Sequence, residues 1–144
     1  MEKLYLKIVE LLGAIPEIKY IDLDSGQLQE EKPPLAYPAV LVRINENRED
    51  VDNVFQIVTG NIQLLVIDKT FSETNSITPE AVRKKGLGYM TLNTKIYNIL
   101  QGYEDSEFRS FTNTAKTDQQ LRKGLKTIAQ QWTTSWRESM YNSN

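Results

Sequence analysis

The chain has 144 residues, of which 40% are hydrophobic and 25% are charged, and its formal net charge is −2 at pH 7. This length and composition suffice for one folded domain and are too apolar for a chain that is disordered throughout. The slightly negative charge excludes an overall basic field that would hold nucleic acid through its phosphates. We therefore expect a single domain, residues 1–144, that does not bind a specific nucleic-acid sequence.

Cysteine and histidine are both absent from the chain. Their absence excludes disulfides, thiolate nucleophiles, zinc sites built from these two residue types, and serine nucleophiles activated by histidine. We predict that the protein is not an enzyme and binds no cofactor or metal. Chemistry based on carboxylates alone remains the catalytic alternative.

The first seven residues alternate charged and apolar side chains, whereas a signal peptide needs an uninterrupted apolar stretch. No apolar run approaches the roughly 20 residues that a membrane-spanning helix requires. We expect the protein to be made in the cytoplasm and to enter no membrane.

The first 34 residues predict a helix, a short strand and a loop. Apolar residues recur at helical spacing from residue 2 to residue 12, and Gly13 follows where a left-handed cap is common. Alternating residues at 18–22 predict a strand that enters a turn at 24–26. Residues 29–34 are polar and end in proline, which predicts an exposed and mobile loop.

A long antiparallel hairpin is predicted next. Residues 37–44 and 54–68 are rich in β-branched and aromatic side chains and predict two strands. The charged residues 46–52 are predicted to connect them as an exposed, flexible loop. Gly60 interrupts the second strand and predicts a bend or a bulge there.

A long central helix is predicted from residue 78 to residue 100. Thr78 provides a hydroxyl N-cap, Pro79 suits the first helical position, and Gly102 suits a left-handed C-cap. Gly86 and Gly88 weaken the middle of this helix, where they predict a bend or the close approach of another backbone.

The last predicted strand covers residues 128–136 and places Trp132 and Trp136 on one face. The segment that begins near Phe108 and Phe111 has an ambiguous pattern. The order α-β-β-β-α-β-β predicts an α+β fold, a mainly antiparallel sheet with a long hairpin, packed by the N-terminal helix and the long central helix. The predicted core consists of Leu4, Ile8, Leu11, Val40, Val42, Ile62, Leu64, Val66, Leu92, Ile96 and Ile99.

Glu46, Glu49, Asp50 and Asp52 form the main acidic cluster. Its simplest interpretation is a solvated hairpin loop, and a contact with a partner protein is the alternative. Oxygen ligands suit a hard cation, but the cluster lacks the central glycine and terminal glutamate of a calcium loop.

Arg83, Lys84 and Lys85 form the main basic cluster, and a second one lies at residues 122–126. Neither contains the interleaved aromatic residues that stack on nucleic-acid bases. A solvated face is the simplest interpretation, and a contact with the acidic cluster of a neighbouring copy is the alternative.

Two further pairs of residues each permit two interpretations. Trp132 and Trp136 form either part of the core or part of an interface, where aromatic residues are enriched. Asp22 and Asp24 could perform acid–base work, but aspartate and serine before a glycine are ordinary turn chemistry. We expect the turn.

Three runs of the sequence resemble small tail-terminator or tail-completion proteins of long-tailed bacteriophages and prophages. They are IKYIDLDSGQL at residues 18–28, YPAVLV at 37–42 and IYNILQG at 96–102. The resemblance implies a structural virion protein that forms a ring, commonly a hexamer. Such a ring caps the tail tube and joins it to the head-proximal neck.

The partners that the resemblance implies are other copies of the chain, the tail tube protein and the neck or head-completion proteins. It implies no catalytic residue. A head-completion or neck adaptor protein shares these properties and is the first alternative. A carboxylate-based enzyme or a nucleotide-binding protein is the second, although Gly86-Leu87-Gly88 lies in a helical pattern instead of between a strand and a helix.

Overall fold

A computed structural model describes residues 1–69 and 74–140 of the chain. Five strands form one sheet in the order β1-β2-β3-β5-β4, and two of the three α-helices, the first and the third, pack on one of its faces. The elements are α1 (Glu2–Leu12), β1 (Tyr20–Leu23), β2 (Ala39–Asp50), β3 (Phe55–Asp68), α2 (Glu80–Gly86), α3 (Gly88–Leu100), β4 (Thr112–Gln119) and β5 (Lys126–Ser139), with a short 3₁₀ turn at Gln27–Gln29.

The predicted α+β class is confirmed, and one pair of strands makes the sheet mixed. Strands β2, β3, β5 and β4 pair antiparallel, whereas β1 runs parallel to β2. Two parallel strands need a connection that carries the chain from the end of the first strand back to the end of the sheet at which that strand began. Residues 24–38 provide it, since they pass over the sheet before β2 begins.

The β2–β3 hairpin is longer than predicted. Residues 46–50 belong to β2, where Asp50 lies opposite Gln56, so the prediction of a loop at 46–52 is wrong for most of its length. The carboxylate of Asp52 instead forms the turn, accepting hydrogen bonds from the backbone N–H groups of Val54 at 2.7 Å and Phe55 at 2.9 Å. A strand that is exposed to solvent is polar, and for this reason its residues resembled a loop.

The strand β3 continues through Gly60 without a bulge, so of the two predicted alternatives, a bend or a bulge, the bulge is wrong. Its pairing with both neighbouring strands keeps the same register on either side of the glycine. A Cβ atom on Gly60 would lie 2.8 Å from Cζ3 of Trp136 and 2.9 Å from Cδ2 of Leu4. The glycine therefore allows α1 and a tryptophan to pack closely against the middle of the sheet.

The predicted central helix is two helices. It breaks at Leu87, with φ −93° and ψ 5°, between the glycines at 86 and 88 that lower helix stability. The predicted cap is one residue early: Pro79 precedes the first helical residue, and its carbonyl accepts a hydrogen bond from the N–H of Arg83 at 2.9 Å. The hydroxyl of Thr78 donates to Asn75 Oδ1 at 2.8 Å.

The two predicted glycine caps have different outcomes. Gly102 adopts a left-handed conformation with φ +76°, as predicted. Gly13 has φ −61° and is right-handed, so that prediction is wrong. The chain continues turning after Gly13, and the N–H of Ile15 donates to Leu12 O at 3.0 Å, which carries Ile15 into the core.

The main core lies between the helices and one face of the sheet. All predicted core residues belong to it, although Leu11 and Ile99 are only partly buried. The buried members that the predicted core list did not include are Leu12, Ile15, Leu100, Phe108, Phe111 and Trp132.

A second, smaller apolar cluster lies on the opposite face of the sheet. It includes Leu28, Leu41 and Leu65 and is covered by the connection between β1 and β2. The guanidinium of Arg122 donates hydrogen bonds to the backbone carbonyls of Leu28, at 2.9 Å, and of residues 30 and 31. Residues 29–34 are mostly exposed, as predicted, and their mobility stays a prediction.

Candidate subunit-contact surfaces

The predicted acidic and basic clusters lie near opposite ends of the sheet. At one end, which we call the hairpin end, Asp50 lies opposite Gln56. At the other end, the hydroxyl of Tyr89, near the start of α3, donates a hydrogen bond to Asp118 at 3.3 Å. Asp118 of β4 and Val66 of β3 pair with the same residue of β5, so they lie at the same height in the sheet. Ten residues of β3 separate positions 56 and 66, which corresponds to about 34 Å.

The basic cluster occupies the last turn of α2, directly before α3, so we call this end of the sheet the α2 end. Lys84 pairs with Glu80 at 3.3 Å, but both side chains are exposed. Arg83 donates to the backbone carbonyl of residue 76 at 3.4 Å, and Lys85 is exposed. Two apolar side chains lie in the same segment, since Ile77 is 91% exposed and Val82 is 39% exposed.

Most of the acidic cluster is engaged within the chain. Glu46 forms ion pairs with Arg48 at 2.7 Å and with the amino group of Met1 at 3.0 Å, and only 9% of its side chain is exposed. Burial acts to raise the pKa of Glu46, but the hydrogen bonds from these two cations outweigh it and hold the pKa below the ordinary value. Glu46 is therefore already neutralised within its own subunit.

Asp50 and Asp52 also have partners in the hairpin. Asp50 accepts a hydrogen bond from the Gln56 amide at 2.6 Å. The backbone N–H groups that bind Asp52 lower the pKa of its carboxyl. Glu49 is exposed, and no ion pair within 4 Å involves it in the described part of the chain. It is the member of the cluster most available to a partner.

A further ion pair near the hairpin end was not predictable from sequence spacing. Arg48 binds Glu138 at 2.6 Å, and Glu138 accepts a hydrogen bond from the indole N–H of Trp136 at 3.1 Å. Arg48 lowers the pKa of Glu138, and the partner carboxylates raise the pKa of Arg48. This network connects β2 to β5 and fixes one side of the tryptophan ring.

An open groove of about 1210 Å³ lies at the hairpin end. Its walls are the start of α1, the hairpin tip, residues 104–109 and the last residues of β5. Trp136 contributes partly exposed aromatic surface, and the buried Phe108 packs against it with the two rings edge to face at 5.6 Å. Phe55 and Met140 add exposed apolar side chains to the rim, at 37% and 64% exposure.

Charged side chains of both signs also surround this groove. Glu2, Glu104 and Glu107 line it and are exposed. None of the ion pairs that residues 1–69 and 74–140 form involves these three carboxylates. Lys3, Arg109 and Arg137 also line the groove, are exposed and form no ion pair among the described residues, so the groove combines partly uncovered apolar surface with unpaired charges of both signs.

The two tryptophans have different environments. Trp132 is 1% exposed and belongs to the core, which was the first of its two interpretations. Its indole N–H donates to Gln130 Oε1 at 2.9 Å, and the Gln130 amide donates to Asn93 Oδ1 at 2.6 Å. Trp136 is only partly buried and lines the groove, so of the two it is the one that can contact a partner.

The aspartates at 22 and 24 hold a turn. Asp24 accepts a hydrogen bond from the N–H of Gly26 at 3.1 Å, and Gly26 has φ +88°. Asp22 accepts one from the Tyr20 hydroxyl at 2.9 Å. In the described residues, no three acidic side chains are grouped so as to hold a metal ion. No helix among these residues is long and apolar enough to cross a membrane.

No family model and no curated protein matches this chain. One chain of a solved structure described as the virion of a native gene transfer agent (GTA) particle aligns with this chain. The two chains have a TM-score of 0.49 and 12% sequence identity, and the match covers 94% of this chain and 90% of that chain.

Proposed function

We propose that this protein is a structural component of a phage-type virion, in which copies of the chain form a ring. The ring, a hexamer in the tail terminators that the sequence resembles, caps the tail tube and joins it to the neck. The proposal describes a protein that acts through contacts with other protein chains, with no catalytic step.

The three runs that carry the resemblance are neighbours in the fold. The first two form the parallel β1–β2 pair, in which Ile21 lies opposite Val40. Ile96, from the third run, is completely buried in the same core as Val40. The resemblance therefore involves one contiguous packed unit instead of three unrelated segments, which supports the proposal.

The observation that carries the proposal is the arrangement of two unlike surfaces on one long sheet. The hairpin end presents exposed apolar side chains with both acidic and basic residues, whereas the α2 end presents exposed apolar side chains with the basic residues Arg83, Lys84 and Lys85. A contact between unlike surfaces of identical subunits repeats head to tail, and it closes into a ring when the rotation allows. Each exposed ion pair contributes at most about 1 kcal/mol, so apolar contacts must provide most of the affinity.

The test uses charge reversal at the α2 end. The variant Arg83→Glu, Lys84→Glu, Lys85→Glu should lose assembly measured by light scattering, both alone and with tail tubes that lack their own terminator. A matched control reverses three exposed lysines elsewhere, at positions 19, 32 and 123, and should assemble normally.

Two outcomes decide between this proposal and its alternatives. If the unaltered protein stays monomeric at high concentration and binds no tail tubes, the ring proposal is wrong. If it binds isolated heads and ignores tail tubes, it is a neck adaptor instead of a tail terminator.

A further inference from the structure

We infer that Gly86, Leu87 and Gly88 form a hinge between α2 and α3. About this hinge α2 moves between the bent arrangement described above and one in which the two helices form a single straight helix. The motion displaces the basic cluster at residues 83–85 relative to the α2 end of the sheet. The inference does not depend on the proposed ring, because the hinge lies within one chain.

The backbone at the break is close to that of a regular helix. The φ of −93° and ψ of 5° at Leu87 differ from average α-helical values by about 30° and about 47°. Hydrogen bonding nearly continues across the break, since the N–H of Leu87 donates to Arg83 O at 3.1 Å and the N–H of Met90 donates to Leu87 O at 2.9 Å. A change that is largely confined to one residue would therefore join the two helices.

The helix α3 is anchored in the core, whereas α2 is not. Leu92, Ile96 and Leu100 of α3 belong to the main core, but none of the residues 80–86 belongs to either apolar cluster of the described chain. The helix α2 can therefore change direction without removing an apolar side chain from the core. Hinges in proteins are typically a few residues at the end of an element that absorb such a change.

The bent arrangement does not require a glycine at position 88. Gly88 does not have a positive φ. Apart from its chain neighbours and its own helix backbone, no described atom lies within 4 Å of a Cβ placed there. Glycine lowers helix stability relative to alanine and widens the range of accessible backbone angles. At this junction it provides the conformational freedom that a hinge needs.

The apolar pattern of the sequence continues through the break. Val82, Tyr89 and Ile96 recur at heptad spacing, so on one continuous helix they would share a side, with a drift of about 20° per heptad. Tyr89 and Ile96 are buried, whereas Val82 is 39% exposed. The straight arrangement would align Val82 with the buried side of α3.

The direction of α3 determines where a straightened α2 would lie. The amide of Gln130 donates to Asn93 Oδ1 at 2.6 Å, and the ring of Tyr97 lies 6.0 Å from that of Trp132. The helix α3 therefore follows β5 from the α2 end of the sheet toward the hairpin end. A straight α2, about 10 Å long, would project past the α2 end and carry the basic cluster with it.

The absence of cysteine from the chain allows a direct measurement with two spin labels. The double variant Ala81→Cys, Asn98→Cys places one label on each helix, at exposed positions. At about 1.5 Å per residue, these positions lie about 26 Å apart along a straight helix, and a bend brings them closer. Double electron–electron resonance on the isolated protein should show two distance populations, of which the longer corresponds to the straight helix.

Two substitutions should change the ratio of these populations in opposite directions. Gly88→Ala favours the continuous helix and should raise the proportion of the longer distance by up to about fivefold. Leu87→Gly weakens the helix at the junction and should lower it. The control pair, Asn45→Cys with Asn98→Cys, joins β2 to α3 and should give the same single distance in every background.

The hinge is overturned if positions 81 and 98 give one narrow distance that neither substitution changes. Two populations with a ratio that Gly88→Ala leaves unaltered would also overturn it, because the motion would then lie elsewhere. Circular dichroism establishes that each variant is folded, and if Leu87→Gly is not, Gly88→Ala decides the result alone. Because the isolated chain is measured, a failure to assemble on tail tubes counts against the ring and not against the hinge.

Discussion

The close packing around Gly60 leads to a quantitative prediction for Gly60→Ala. The new methyl group would lie 2.8 Å from Trp136 and 2.9 Å from Leu4, and at distances below 3.0 Å something must move. The tryptophan ring is held by Glu138 and by the edge of Phe108, so the displacement must come largely from α1.

The expected loss of stability follows from two opposing contributions. Overpacking of a core costs about 1–3 kcal/mol. Replacing glycine with alanine restricts the unfolded chain and recovers about 0.4–1 kcal/mol. We therefore expect the free energy of unfolding to fall by about 1–2 kcal/mol. If this free energy decreases by about 2 kcal/mol per M of urea, the urea midpoint falls by about 0.5–1 M.

The assay is urea unfolding monitored by tryptophan fluorescence, with Gly88→Ala as the matched control. Apart from its chain neighbours and its own helix backbone, no atom of the described residues lies within 4 Å of a Cβ at Gly88. Because alanine favours a helix, this variant should be as stable as the wild type or more stable. In the double variant Leu4→Ala, Gly60→Ala, the second substitution should cost less than it does alone, because Leu4 no longer collides with it. A Gly60→Ala protein with unchanged stability would refute the close approach of α1 to β3.

Three further predictions concern the core and the ion pairs. Ile96→Ala should lower the free energy of unfolding by about 2–5 kcal/mol, because the side chain is completely buried. A loss below about 1 kcal/mol in urea unfolding would contradict the orientation of α3. Gln130→Leu should lower the free energy of unfolding by about 2–4 kcal/mol, because it leaves the buried indole N–H of Trp132 and the amide oxygen of Asn93 without this partner. Stability equal to that of the wild type would show that the buried amides are dispensable. Glu46→Gln should cost about 1 kcal/mol at pH 7, an effect limited by the exposure of its cationic partners. The folded-state pKa of Glu46 is depressed, so the stabilisation that its ion pairs provide is present at pH values above the ordinary pKa of 4.5. This stabilisation is lost as the pH falls through the folded-state pKa. The stabilities of the two proteins should therefore converge as the pH is lowered below 4.5, and a difference that stays constant during this acidification would count against the ion pair.

Local sequence patterns predicted the elements whose residues face a core on one side. The helical spacing of Leu4 and Ile8 fixed the buried face of α1, and the alternation at Val40 and Val42 fixed that of β2. Because apolar residues repeat with the period of the helix or strand only on the face that is buried, the main core was predictable from these patterns. The polar outer half of β2 has no such face, and for that reason residues 46–50 resembled a loop.

The groove could not be predicted because its parts are distant in the sequence. Arg48 and Glu138 lie 90 positions apart, and only the pairing of β3 with both β2 and β5 brings them together. The charge of residues 83–85 was visible in the sequence, whereas the intramolecular pairing of Glu46 was not.

The central position of β3 also constrains when the chain can acquire its structure during synthesis. The strand β2 precedes β3 directly, but the residues of β5 that pair with β3 come 58 positions later at Asp68↔Lys126 and 84 positions later at Phe55↔Ser139. Until residues 126–139 have left the ribosome, one edge of this 14-residue strand has no partner strand. An apolar strand with an open edge promotes association between unfinished chains. A truncated product that ends before residue 126 should therefore aggregate even though its hairpin is intact.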